Sequence, residues 1–309
     1  MNSRGHEMIK VKRLRHVTFT SSDVEAQLDY YQSVIGLAVI GRDDRRIFLG
    51  TESDELTLIL EQGAASHLTT IAYEVAPHLD LADLQKPLAS LDIKSEIRSD
   101  TAPGIAKALV FNDPDGLQIE LFSRWEFCKP IEPIRGLAVA KLGHVALYTP
   151  DPERVAKFYG DVLGFRVSDR IEENFVFMRC GPEHHAMNFA RGTDGRLHHL
   201  AFELRDASHM HQACDLLGRK GFQILWGPVR HGPGHNVAVY HHNPDRYLIE
   251  LYYSMDLMLD EELGYFEPRP WHHDRPQRPK TWVGLPRDVW GVGPAKEAHE
   301  FSPAMRGAK

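Results

Sequence analysis

Apolar and polar residues alternate along "LRHVTFT" (14–20) and again along "LGHVALY" (142–148). That two-residue period marks a strand with one buried face. Behind each strand the period lengthens. "DVEAQLDYYQSVI" and "DPERVAKFYGDVL" carry helical spacing, open on an aspartate and stop at Gly36 or Gly164. Aspartate accepts from the free N–H groups of a first turn, and glycine takes the left-handed conformation that ends a helix. Strand-like runs follow: "RRIFLG" and "LTLILEQ" in the first half, "NFVFMRC" and "HAMNFAR" in the second. Then come "LTTIAYEVA" and "LHHLAFELR", a second helix in each half, and closing strands joined by Asn-Asp-Pro-Asp-Gly or Asn-Pro-Asp-Arg turns.

The same order of elements is thus written twice. "LRHVTFT" answers "LGHVALY", "DYYQSVIGLAV" answers "KFYGDVLGFRV", "LTTIAYEV" answers "LHHLAFEL", and "FNDPDGLQIELF" answers "HHNPDRYLIELY". The offsets are 128, 128, 129 and 130 residues, so a domain has been duplicated. The expected fold is α+β, with tandem domains built from duplicated βαβββ units and antiparallel sheets. The predicted boundaries are an N-terminal domain at 1–123, a linker at 124–140, a C-terminal domain at 141–253 and a proline- and aromatic-rich arm at 254–309.

Composition removes several function classes. A net charge of −7 does not provide a nucleic-acid-binding face. No apolar run reaches the roughly 18 residues of a membrane span, and "MNSRGHEMIKVKRLRH" lacks the apolar stretch of a signal peptide. Cys128, Cys180 and Cys214 are far apart and odd in number, which fits a reducing cytoplasm rather than a disulfide framework. Most of the 18 histidines lie after residue 140, so the second half is where chemistry is expected.

The two copies differ at one informative place. The second has His144, the pair His198–His199, and Glu250; the first has His16, Thr69–Thr70 and Glu120. Two imidazoles and one carboxylate with other positions open are the ligand set of non-haem Fe(II) oxygenases. A lone strand histidine is more often structural. Three candidates at matched strand positions, one of them missing from the sister copy, favour a metal in the second copy and a metal-free first copy.

"GHVAL", "RLHHLAFEL" and "RHGPGHNVAVYHHNPDRYLIELY" resemble the two-domain extradiol ring-cleaving dioxygenases of the vicinal-oxygen-chelate (glyoxalase-like) superfamily. The resemblance covers nearly the whole chain. It implies that the second histidine of the pair is the ligand, giving His144, His199 and Glu250 as the metal set. It implies Fe(II), with Mn(II) able to use the same donors, a small catecholic substrate and O2. It also implies His185 as the acid–base group and His231 and Tyr240 as substrate-binding residues. His184 is an equally eligible neighbour of His185, while His209, His211, His235, His241 and His242 are expected to be structural or solvated. Phe175, Phe177, Trp226, Phe266 and Trp271 are candidates for an apolar pocket. A homo-oligomer without nucleic-acid or membrane partners is expected. A metal-dependent isomerase of the glyoxalase or epimerase type, or a non-catalytic small-molecule binder, are the alternatives. The arm over residues 263–282 is expected either to close the site or to serve as a structural strap.

Overall fold

The computed structural model describes residues 9–53, 55–192, 197–267, 277–284 and 288–297. The first copy runs β1 (Val11–Ser21), α1 (Val24–Tyr30, continued by a wider turn at Tyr31–Ile35), β2 (Ala38–Arg42), β3 (Arg46–Gly50) and β4 (Leu56–Gln62). It repeats as β5 (His67–Val75), α2 (Leu81–Ser90), β6 (Ser95–Ala102), β7 (Ile105–Asn112) and β8 (Gln118–Phe122). The second copy has β9 (Lys141–Thr149), α3 (Pro152–Leu163), β10 (Arg166–Ile171), β11 (Phe175–Arg179) and β12 (Met187–Arg191). Its second half is β13 (Leu197–Glu203), α4 (Ala207–Lys220), β14 (Trp226–Arg230), β15 (Val237–His242) and β16 (Leu248–Tyr253). Each domain is therefore two βαβββ units, as the sequence pattern predicts.

The predicted helix signals are used as expected. The Asp151 side chain accepts from the Arg154 N–H at the start of α3, and Gly164 closes it at φ 75°. Asp206 caps α4 through His209 N–H, and Gly221 ends it at φ 78°. Helix α3 turns Val155, Ala156, Tyr159, Val162 and Leu163 inward, which is the face its periodicity marks.

The sheets are mixed rather than purely antiparallel. The first has the order β2-β3-β4-β1-β5-β8-β7-β6, with β1·β4 and β5·β8 parallel. The second places β9, β13 and β16 side by side, with β12·β9 and β13·β16 parallel. Each βαβββ unit brings its first and last strands together, and the helix and hairpin between them allow that pairing to be parallel. Alternation within a strand reports burial but not the direction of its neighbour, so this feature is not legible locally.

The arm takes the form of a structural strap, the second of the two expectations for it, over its described residues. Residues Lys280–Trp282 (β17) add to β10 in parallel, and Trp290–Gly291 (β18) add to β14. The arm extends the second sheet at both edges by using backbone groups that would otherwise stay unpaired. The linker likewise lies on the first domain, with Ile131 N–H donating to Val39 O and Leu137 N–H to Val34 O. Among the described residues no helix is long and apolar enough to cross a membrane.

One hydrophobic core joins the two domains. Tyr73 meets Phe165 and Tyr159 edge-on, and Phe19 meets Tyr247. His241 sits in this junction, fully buried, with Nε2 2.7 Å from Tyr30 Oη, so its structural assignment holds. Burial pushes His241 down to about 3 and does the same to His16. Both bind a proton near pH 6.5 only when the chain unfolds. Their contribution is full above that pH and is lost as pH falls toward 3, at about 1.4 kcal/mol per pH unit each. Burial lifts the Asp113 carboxyl to about 6, which opposes this trend over part of the range. His241→Gln therefore flattens the acid limb of stability by about 1.4 kcal/mol per pH unit. Urea midpoints between pH 6.5 and 4.5 read that slope; an unchanged slope refutes it.

Candidate metal centre

Strands β9, β13 and β16 are neighbours, and their register sets the site. His144 stands opposite Ala201, and Ala201 stands opposite Glu250. His199 lies two residues before Ala201, on the same face of its strand. The three side chains therefore converge, each at least 95% buried. His144 Nε2 is 3.1 Å from His199 Nε2 and 3.0 Å from Glu250 Oε2, and His199 Nε2 is 3.2 Å from Glu250 Oε2.

These edges are informative. Metal–ligand bonds of about 2.1 Å at right angles set donor atoms about 3.0 Å apart, whereas tetrahedral angles set them about 3.4 Å apart. The triangle fits one face of an octahedron, which leaves the opposite face for small ligands. Two imidazole lone pairs and a carboxylate oxygen repel one another at these distances, and either N–H protons on the rings or a metal ion among the donors relieves that repulsion. Burial holds His199 below the ordinary histidine range, so its lone pair is available. Burial alone would raise Glu250; the charge of His144 and hydrogen bonds from both histidines outweigh it and hold the carboxyl well below its usual range.

Surrounding groups orient the three. Asn236 Nδ2 donates to Glu250 Oε1 at 2.8 Å, and His198 Nδ1 lies 2.8 Å from His199 Nδ1. His198 thus meets His199 at Nδ1, the ring nitrogen not used in the triangle. Gly143 has no room for a side chain, since a Cβ there would fall 1.8 Å from Tyr252 Oη. The Tyr252 ring uses that space to back His144.

The other predicted residues flank the cluster on two sides. His185 lies with its ring centroid 4.3 Å from that of His144. It sits in the loop before β12 rather than on a strand, as the sequence pattern had placed it. Burial pushes it well below the ordinary histidine range. On the other side, Tyr240 pairs across from Glu250, its hydroxyl 2.8 Å from His231 Nε2. Burial, reinforced by Glu250, raises the Tyr240 phenol well above its usual range. His231 Nδ1 is 2.9 Å from Asp288 Oδ1.

A cavity of about 520 Å³ opens onto these groups. Phe175, Phe177 and Trp226 line it as predicted. Phe266 does not; it packs on His184, and Trp271 lies outside the described residues. None of the described residues in 263–282 lines the cavity. The arm reaches it instead through Asp288 and Pro294. Asn236 and Asp288 were not anticipated, and His184 was named only as an alternative to His185. A single Asn or Asp carries no local pattern, and only the folded sheet brings them to the site.

In the first domain the matched positions do not form such a cluster. His16 Nε2 is 3.8 Å from Glu120, and Thr70 instead accepts a hydrogen bond from Gln118 Nε2. Among the described residues the only three-donor cluster is His144, His199 and Glu250.

The Glyoxalase/Bleomycin resistance protein/Dioxygenase superfamily model matches residues 13–121 and 141–251, and the chain belongs to that family. The chain is 26% identical to the 2,2',3-trihydroxybiphenyl dioxygenase of Sphingomonas paucimobilis, over 86% of this chain and 98% of that protein. Among solved structures it resembles the Mn(II)-bound glyoxalase from Novosphingobium aromaticivorans at TM-score 0.80 and 26% identity, covering 93% and 94% of the two chains. It also resembles homoprotocatechuate 2,3-dioxygenase of Brevibacterium fuscum, solved with 3,4-dihydroxyphenylacetate, at TM-score 0.75 and 26% identity over 94% and 92%.

Proposed function

We propose that this protein is a metal-dependent extradiol dioxygenase that opens the ring of a catechol-type aromatic and places both atoms of O2 in the product. The observation that carries the reading is the three-donor face of His144, His199 and Glu250, on the wall of a largely apolar cavity. Fe(II) is the proposed ion, and Mn(II) accepts the same donors. When bound, the ion supplies one coordination sphere in which catechol and O2 meet and exchange electron density.

The chain's own residues handle the protons. Asp288 accepts from His231 Nδ1–H, which leaves Nε2 to accept from the Tyr240 hydroxyl. The Tyr240 oxygen then has lone pairs for a catechol hydroxyl. As the catechol proton passes to Tyr240 Oη, the Tyr240 proton passes to His231 Nε2, and Asp288 stabilises the resulting imidazolium. His185, on the opposite side, gives or takes a proton where oxygen reacts. Phe175, Phe177 and Trp226 hold the ring and its substituent and exclude water.

The sharing of relatives with a glyoxalase keeps a metal-dependent isomerase as the comparison. An isomerase consumes no oxygen. Protein stripped of metal and reloaded with Fe(II) or Mn(II) should consume one O2 per catechol and yield a yellow ring-opened product. Conversion of substrate without oxygen uptake under either metal overturns the reading.

A further inference from the structure

Behind His185 lies a chain of buried groups for which the proposed reaction has no direct use. His184 is fully buried and does not line the cavity. Its Nδ1 is 2.9 Å from His185 Nδ1, and its Nε2 is 3.2 Å from Asp169 Oδ2. Asp169 is also buried and comes from β10. Its other partners come from the arm: Lys280 N–H donates to Oδ1 at 2.9 Å, and Trp282 Nε1–H donates to Oδ2 at 2.8 Å.

Donor and acceptor roles follow from these contacts. Lys280 N–H and the Trp282 indole can only donate, so Asp169 acts here as an acceptor, the role of an ionised carboxylate. His184 Nε2 must then carry a proton. In neutral His184 this leaves Nδ1 as an acceptor, so His185 Nδ1 must carry the proton shared between the two rings. His185 is left with a bare Nε2 for the cavity.

We infer that Asp169 and His184 are positioning residues that lock His185 in its Nδ1–H tautomer, and that strand β17 of the arm holds Asp169 in place for this. The role in turnover rests on the dioxygenase reading; the tautomer does not. The locked form can accept a proton at Nε2 and return it there, with the new charge facing His184 and, beyond it, the Asp169 carboxylate. The arm thus acts on the site from behind, through residues 169 and 184, in addition to reaching the cavity rim at Asp288.

Asp169→Leu exposes the lock. Two donors converge on Oδ2, and leucine offers neither of them an acceptor; asparagine is the control, since its amide oxygen can still take the Oδ2 place with its NH2 toward Lys280 N–H. In Asp169→Leu, His184 is expected to move its proton to Nδ1, which forces His185 to the Nε2–H tautomer. Nitrogen-15 spectra of histidine-labelled protein, loaded with diamagnetic Zn(II), read both rings without any turnover. The expected result is Nδ1–H at His185 in the wild type and in Asp169→Asn, and Nε2–H in Asp169→Leu. Kinetics supply the second readout. Asp169→Leu should lower kcat about tenfold or more at nearly unchanged catechol KM. Combined with His185→Phe, its effect should not add, because it acts through His185. Asp288→Asn, on the catechol side, should move KM.

Unchanged tautomers in folded Asp169→Leu overturn the inference, as does full additivity of Asp169→Leu with His185→Phe. If the tautomers switch as expected but wild-type protein consumes no oxygen with any catechol, the lock stands and the dioxygenase reading fails.

Discussion

His199→Ala should take the metal and the turnover away together, and Glu250→Ala should do the same. Each substitution removes one corner of a triangle whose edges are 3.0–3.2 Å. Two remaining donors do not hold a divalent ion against dialysis, so metal per chain should fall from about one to near zero. His16→Ala provides the contrast. His16 is as buried as His144, but the Glu120 carboxylate lies 3.8 Å away and Thr70 occupies the third position. Metal content and turnover should survive that change in protein that remains folded. Elemental analysis beside oxygen uptake reads both quantities. Normal turnover in a folded Glu250→Ala protein contradicts the ligand assignment.

His185→Phe should separate metal binding from chemistry. The ring lies beside His144 but contributes no atom to the donor triangle. Phenylalanine fills a similar volume next to Phe177 and removes both ring nitrogens. Metal content and anaerobic catechol binding should persist, while kcat falls roughly 10²- to 10⁴-fold, the usual worth of a placed acid–base group. If the variant loses its metal instead, His185 belongs to the ligand set and the triangle is incomplete.

The duplicated frame is what made the candidate site readable. His144 and Glu250 have counterparts in His16 and Glu120, so the one unmatched position, His199 against Thr70, stands out. Strand alternation and the Asp and Gly signals at helix ends placed most elements within a residue or two. The Asn-Pro-Asp-Arg turn also held its count. Arg246 adopts φ 67°, where its counterpart Gly116 has φ 86°, and Glu250 keeps its register. What stayed hidden depends on distant partners. Asp169 within "RVSDRI" looks like an ordinary polar strand residue until Trp282, 113 positions later, donates to it. Asp288 lies beyond the repeat and has no counterpart to align. The pairing of β17 and β18 with sheet edges arises from backbone groups, which leave no side-chain pattern.

The central claim is that this cavity joins O2 to a catechol on a cation held by His144, His199 and Glu250. The most direct test is a closed-vessel reaction of metal-loaded protein with a catechol. Oxygen uptake and product mass are followed together, with no reductant present. The account predicts one O2 consumed per catechol and a ring-opened product heavier by two oxygen atoms. A product of unchanged mass without oxygen uptake, or a quinone formed with release of hydrogen peroxide, would contradict it.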